Sequence, residues 1–194
     1  MTLPQLPENV PSTSNSLSRF IGKLVLNLMG WRVIGNFPNE KKFIAAVAPH
    51  TSNWDFVIAV AVKLAVGLNV KFLGKDALFT NPLGYFMRAI GGIPVNRSSK
   101  QGLVEQMTQY FINADTLVLG IAPEGTRSKT LEWKKGFLYI AQSAQVPVVP
   151  VCLNFRTKLV EIKSPIDVCS SVDDTLVAIK QQFPADCAKY PQKV

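Results

Sequence analysis

The chain has a single histidine, His50, and only three cysteines, Cys152, Cys169 and Cys187. The cysteines are widely spaced, odd in number and without a C-x-x-C pair, so neither a metal centre nor a disulfide framework is expected. Idle or buried thiols in a reducing cytosol fit that usage. Long apolar runs are also missing. A membrane-spanning helix needs roughly 18 such residues, and the best candidate, Phe56 to Leu68, is interrupted by Lys63. The amino-terminal residues are polar and proline-rich, the reverse of a basic segment leading into an apolar one. The expectation is a soluble or peripheral protein. Blocks of like charge are absent too: the densest basic clusters are the pairs Lys41-Lys42 and Lys134-Lys135. With no arginine-rich arm and no zinc-finger spacing, nucleic acid is not an expected partner.

What is present is enough apolar material for a sizeable core, 47% of residues against 18% charged, in a length that suits one domain. The formal net charge of +8 favours an anionic partner such as a phosphate ester or an anionic membrane. Residues 1–15 read as a flexible arm, and residues 16–194 as a single domain. Leu17, Phe20, Ile21, Leu24, Val25, Leu28 and Met29 recur at helical spacing. They predict an amphipathic helix, packed either on the domain or on a membrane surface.

Beyond it, strand-like and helix-like pieces alternate. Strands are predicted over 31–35, 43–48, 70–74, 92–95, 116–121, 146–153 and 158–163. Helices are predicted over 53–68, 83–90, 102–113, 135–144 and 173–182. In the helix over 102–113, Leu103, Met107, Tyr110 and Phe111 are expected to face inward. Val146 to Val151 carries two prolines, which suggests an edge strand. This alternation predicts an α/β fold, a largely parallel mixed sheet flanked by helices.

The candidate chemistry starts at "APHTSNWDF", Ala48 to Phe56. Pro49 ends a strand, and a helix starts near Ser52 or Asn53. His50 then lies in a strand-to-helix loop, at the sheet edge where α/β proteins place their sites. Asp55, in the first helical turn, can fold back on the imidazole. A carboxylate on one ring nitrogen leaves the other free as a base. Ser52-x-x-Asp55 is equally a capping-box pattern, which needs no catalysis. No G-x-S-x-G elbow supplies an enzyme nucleophile, so the base would act on a hydroxyl of the substrate itself. Downstream, "APEGTRSK" (Ala122 to Lys129) and "GGIPVNRSS" (Gly91 to Ser99) set Arg127 and Arg97 in turns. Such turns can hold a phosphate or serve as plain surface loops.

Taken together and in order, these stretches resemble the glycerolipid (lysophospholipid) acyltransferases, of which 1-acylglycerol-3-phosphate acyltransferase is typical. The H-x-x-x-x-D block matches His50 to Asp55, and the glycine-rich strand ending in arginine matches Gly91 to Arg97. The E-G-T-R block matches Glu124 to Arg127, and the proline-bearing apolar block matches Val146 to Val151. The blocks span roughly residues 45–152. The resemblance implies acyl transfer from acyl-CoA or acyl carrier protein to a hydroxyl of a lysophospholipid or glycerol-phosphate-type acceptor, at a membrane surface. It implies His50 as general base, with Asp55 orienting it. Arg97, Glu124, Gly125, Thr126 and Arg127 would bind the acceptor's phosphate and glycerol, and Pro147 and Pro150 would line the thioester site. No cofactor or metal is called for. Asn96 stands where the family commonly has aspartate, Pro49 where it has asparagine and Ala122 where it has phenylalanine, which leaves the acceptor open. A thioester or ester hydrolase, or a non-catalytic basic lipid-binding module, are the alternative readings.

Overall fold

The computed structural model describes residues 2–13, 15–95, 102–168 and 171–194. Its frame is a seven-stranded sheet in the order β1-β7-β6-β2-β5-β3-β4. The strands are β1 (Arg32–Gly35), β2 (Lys42–Ala48), β3 (Val70–Lys75), β4 (Gly92–Val95), β5 (Leu117–Ile121), β6 (Val148–Asn154) and β7 (Leu159–Ile162). Five strands, β6 through β4, run parallel, and β7 turns antiparallel against β6 and carries β1 beside it. The helices are α1 (Ser16–Met29), α2 (Asn53–Val66), α3 (Leu83–Ala89), α4 (Leu103–Asn113), α5 (Gly136–Ala144) and α6 (Val172–Lys180). The α/β fold with a largely parallel mixed sheet is the one expected from the alternating pattern.

Strands covered on both faces should be apolar at successive positions rather than at alternate ones. β2 meets that condition. Phe43 and Ala45 point into a core shared with Leu26 of α1 and with Ile58, Ala61 and Ala65 of α2. Ile44, Ala46 and Ala48 point into a second core with Phe111 of α4, Leu138 of α5 and Ile179 of α6. A smaller cluster, Phe79, Met87 and Ile90, fills the space beside α2. There Phe56 meets Phe72 edge-on at a centroid distance of 5.2 Å.

Three expectations change. First, β6 is an interior strand between β2 and β7. Pro147 precedes it. Pro150 sits where the β6–β7 ladder stops at Val151↔Ile162, so its missing N–H breaks no rung, and its carbonyl still accepts from the Lys163 N–H. Second, in α4 only Met107, Thr108 and Phe111 are buried, while Leu103 and Tyr110 are exposed. The inward stripe is one residue wide at each turn. Third, residues 2–13 lie against the domain. Val10 is buried in the first core, Ser12 bridges Leu68, and the Asn69 N–H donates to the Pro11 carbonyl.

Helix α1 packs on α2 through Gly22 and Leu26. The stripe that defined it in the sequence divides: Val25 and Met29 pack against the first core, whereas Leu17 is 65% and Leu28 79% exposed, with Phe20, Ile21 and Leu24 exposed between them. The close approach depends on Gly22, where a Cβ would lie 2.3 Å from the Ala65 nitrogen and 2.6 Å from the Ala61 oxygen. Both neighbours are backbone, so they cannot rotate away. Gly22→Ala should therefore lower stability by about 1–3 kcal/mol, the usual cost of overpacking a core, in chemical denaturation. An unchanged midpoint would show that α1 does not depend on this contact.

Candidate active site

β2 and β5 are adjacent and parallel, so the loops leaving their carboxyl ends meet. His50 follows β2 by two residues and Glu124 follows β5 by three. The meeting is direct: the His50 backbone N–H donates to Oε1 of Glu124 at 2.8 Å. This is the sheet edge at which open α/β folds build their sites.

The helix start fixes the second partner. Ser52 is the N-cap of α2 and forms a full capping box with Asp55. The Ser52 N–H and hydroxyl donate to the two Asp55 carboxylate oxygens at 2.7 and 2.8 Å, and the Ser52 hydroxyl accepts from the Trp54 N–H. Asp55 Oδ2 lies 3.2 Å from His50 Nδ1, with the aspartate side chain almost fully buried and the imidazole partly open. The capping box and the His50–Asp55 contact thus share one carboxylate. Burial is the largest influence on the Asp55 carboxyl and pushes its pKa up. The hydrogen bonds from His50 and from the Ser52 N–H and hydroxyl, with the charge of His50, outweigh it and leave the pKa below the ordinary value. Asp55 is therefore an anion at neutral pH. It favours a proton on Nδ1, which leaves the Nε2 lone pair free.

Glu124 opens the third stretch. The residue is 9% exposed, and its Oε2 is buried with no hydrogen-bond partner among the described residues. Burial, first, raises its pKa, against the backbone N–H bonds that lower it. Gly125 follows with φ +65°, closing a turn from the Ala122 carbonyl to the Gly125 N–H. The Thr126 hydroxyl accepts from the Ser128 N–H at 3.1 Å. Arg127 is exposed on this turn, and no carboxylate pairs with it among the described residues. Arg97 lies outside the described residues. Pro147 is not brought to this edge: its carbonyl accepts from the Ile44 N–H near the start of β2, four residues before the Ala48 end. Pro150 is buried in mid-sheet opposite Ala46.

Three supports carried no sequence signal. The Tyr190 N–H donates to Oγ1 of Thr51 at 3.3 Å, so the carboxyl-terminal segment holds the residue after His50. Lys189 lies over the Trp54 ring at 4.9 Å. Lys63, on the far side of α2, donates to the Ile90 carbonyl, and burial, then the nearby Lys71, lowers its pKa to about 8. It ties α2 to the turn that feeds β4. All three are contacts across long sequence separations, which no local pattern encodes. Cys152 and Cys187 are buried free thiols, and burial, then the neighbouring Cys187, pushes Cys152 up to about 12. Cys169 lies outside the described residues.

The family model described as Acyltransferase matches residues 31–154. A curated 1-acyl-sn-glycerol-3-phosphate acyltransferase of Haemophilus influenzae is 29% identical over 86% of this chain and 76% of its own length. The proteins of the same name from Saccharomyces cerevisiae and Bacillus subtilis are each 30% identical. They align with 73% and 66% of this chain and with 48% and 65% of their own lengths. The crystal structure of the 1-acyl-sn-glycerophosphate (LPA) acyltransferase of Thermotoga maritima shares the fold. Its TM-score is 0.64 at 24% identity, over 86% of this chain and 75% of that one.

The Asp55 geometry gives a test by pH. A carboxyl whose folded pKa lies below its unfolded value of 3.8 contributes stability above that pH, and loses it as pH falls through the folded pKa. Ser52→Ala removes one of the bonds that lower it and the N-cap of α2. Stability at neutral pH should drop by about 1 kcal/mol, and the Asp55 pKa should rise in a carboxyl NMR titration. The acid loss of stability contributed by this carboxyl should then be smaller and be complete at higher pH. An unmoved titration would mean that the hydroxyl bond does not set the carboxylate.

Proposed function

Because the chain belongs to the acyltransferase family, we propose that it moves a fatty acyl group from an acyl-CoA or acyl carrier protein thioester to a hydroxyl of a lysophospholipid or glycerol-phosphate-type acceptor. The observation that carries this reading is the His50–Asp55 pair, 3.2 Å apart at Nδ1, beside a turn that presents an unpaired arginine. Nε2 takes the proton of the acceptor hydroxyl as its oxygen attacks the thioester carbonyl. The tetrahedral oxyanion collapses, the carbon–sulfur bond breaks, and the imidazolium returns the proton to the leaving thiolate. Asp55 holds the ring and stabilises its transient positive charge. Arg127 offers a planar fork to the acceptor phosphate, with Thr126 and Gly125 shaping the turn. The names of the relatives support a lysophosphatidic-acid-type acceptor. A hydrolase would have no need of a cationic acceptor turn.

The setting is a membrane surface. No helix among the described residues is long and apolar enough to cross one, whereas α1 turns Leu17, Phe20, Ile21, Leu24 and Leu28 outward. An outward apolar stripe on a protein of net charge +8 suits shallow insertion among anionic headgroups. The α1 stripe thus brings the enzyme to the phase that holds its acceptor and product.

Three variants check these roles. His50→Ala should cut acyl transfer by about 10²–10⁴-fold, read as product by mass spectrometry, with the fold intact by circular dichroism. Near-normal transfer would sink the general-base role. Thiol release measured with and without lysophospholipid separates the hydrolase, for which release is independent of acceptor. Arg127→Ala should raise the acceptor KM by about tenfold or more, since a charged hydrogen bond is worth about 1.5–3 kcal/mol, and leave the thioester KM nearly unchanged. Leu28→Asp should lower partition onto anionic phospholipid vesicles by about tenfold or more. Undiminished vesicle binding would place the membrane contact elsewhere.

A further inference from the structure

We infer that Glu124 is a positioning residue for His50, acting through the His50 backbone, and not a ligand of the acceptor phosphate. The inference rests on His50 being the general base. Three observations lead to it. Glu124 has one carboxylate oxygen committed to the His50 N–H at 2.8 Å. Its side chain is buried, and the second oxygen meets no hydrogen-bond donor among the described residues. An ionised carboxylate repels a phosphate, so its charge would run against the ligand role that its place in the E-G-T-R block suggests. Arg127, three residues on and exposed, is the group of that block with the right sign.

The positioning role follows from how the His50 loop is held. Between Ala48 and Asn53 the backbone lies outside strand and helix, so its N–H groups need partners from elsewhere. Two of them find carboxylates: the His50 N–H takes Glu124, and the Ser52 N–H takes Asp55. Between the two, the Thr51 hydroxyl is held by Tyr190. The ring is therefore fixed at both ends. Asp55 sets it at Nδ1, and Glu124 sets the backbone from which the side chain springs. Glu124 alone among the holders comes from β5, so it also registers the base against the acceptor turn, which leaves the same strand.

The test compares Glu124→Ala with Glu124→Gln, whose amide oxygen can accept the same N–H and whose shape is nearly unchanged. Misplacing a catalytic group by about 1 Å costs on the order of a hundredfold. Glu124→Ala should therefore lower kcat by tenfold or more on that scale, with the acceptor KM little moved. Glu124→Gln should recover most of that loss. The His50 amide proton, followed by nitrogen–proton correlation NMR, should shift upfield in Glu124→Ala and stay near its original place in Glu124→Gln. A higher acceptor KM at retained kcat would overturn the inference, and so would a Glu124→Gln as slow as Glu124→Ala. Where Glu124→Ala fails to fold, Glu124→Gln decides by the same rate and amide shift. His50→Ala run in parallel separates the two ideas: if it keeps transfer, the base assignment fails, whatever Glu124 does.

Discussion

The Asp55 carboxylate is the constraint on which the site depends. It sits in a nearly dry position, where an unpaired charge would be costly, and it is held there by bonds from two residues. The Ser52 N–H and hydroxyl begin helix α2, and the His50 ring closes the set. One anion thus starts a helix, keeps its own charge and orients an imidazole. A capping box is usually a device of stability alone. Here the same bonds also set the geometry of the His50 ring, so on the proposed function folding and catalysis would draw on one local structure.

The sheet supplies what the capping box cannot, the distance between sites. Parallel strands finish at a common edge, and the β2–β5 pairing places residue 50 beside residue 124. The E-G-T-R turn is therefore not merely near the base but bonded to its backbone. Both faces of β2 are covered by apolar side chains, so the edge cannot slip without moving two cores. Rigidity at the site is in this sense a property of the packing layers, passed through Phe43 and Ile44 to the loop that follows them.

Much of this was legible in the sequence, and the reasons are local. Each interior strand is an apolar run of suitable length, and each helix has its own period, so element order and type could be read directly. His50, Asp55, Glu124 and Arg127 were legible because they punctuate the ends of strands. What could not be read depends on partners distant in the chain. Two prolines in six residues suggested an edge for β6, yet Pro150 falls in the gap of a ladder whose position only the β6–β7 register defines. Leu103 and Tyr110 fit a helical stripe, but the sheet beneath α4 takes only Met107, Thr108 and Phe111. Val10 reads as part of a polar arm until the core it enters is known. Pro147 belongs to a block that matches the family, yet its strand begins at the sheet edge opposite His50.

Helix α1 shows why periodicity alone gives no direction. Its apolar stripe is broad, and a broad stripe ordinarily faces the core. The structure turns five of its seven residues out, because α2 is met by Gly22 and Leu26, with Val25 and Met29 beside them, along a seam that only a glycine allows to close. Close packing needs few residues when two backbones touch, which frees the remaining apolar positions for another surface. Exposed apolar area of this extent is retained in proteins when something covers it. On the proposed function a bilayer would supply that something, since the headgroup of an acceptor anchored there by one acyl chain would meet His50 only at the boundary between lipid and water. The seam at Gly22 and the carboxylate at Asp55 are then two ends of one arrangement: α2 carries the outward helix along its length and the oriented imidazole at its first turn. A bilayer contact made through α1 is by that route fixed in relation to the base.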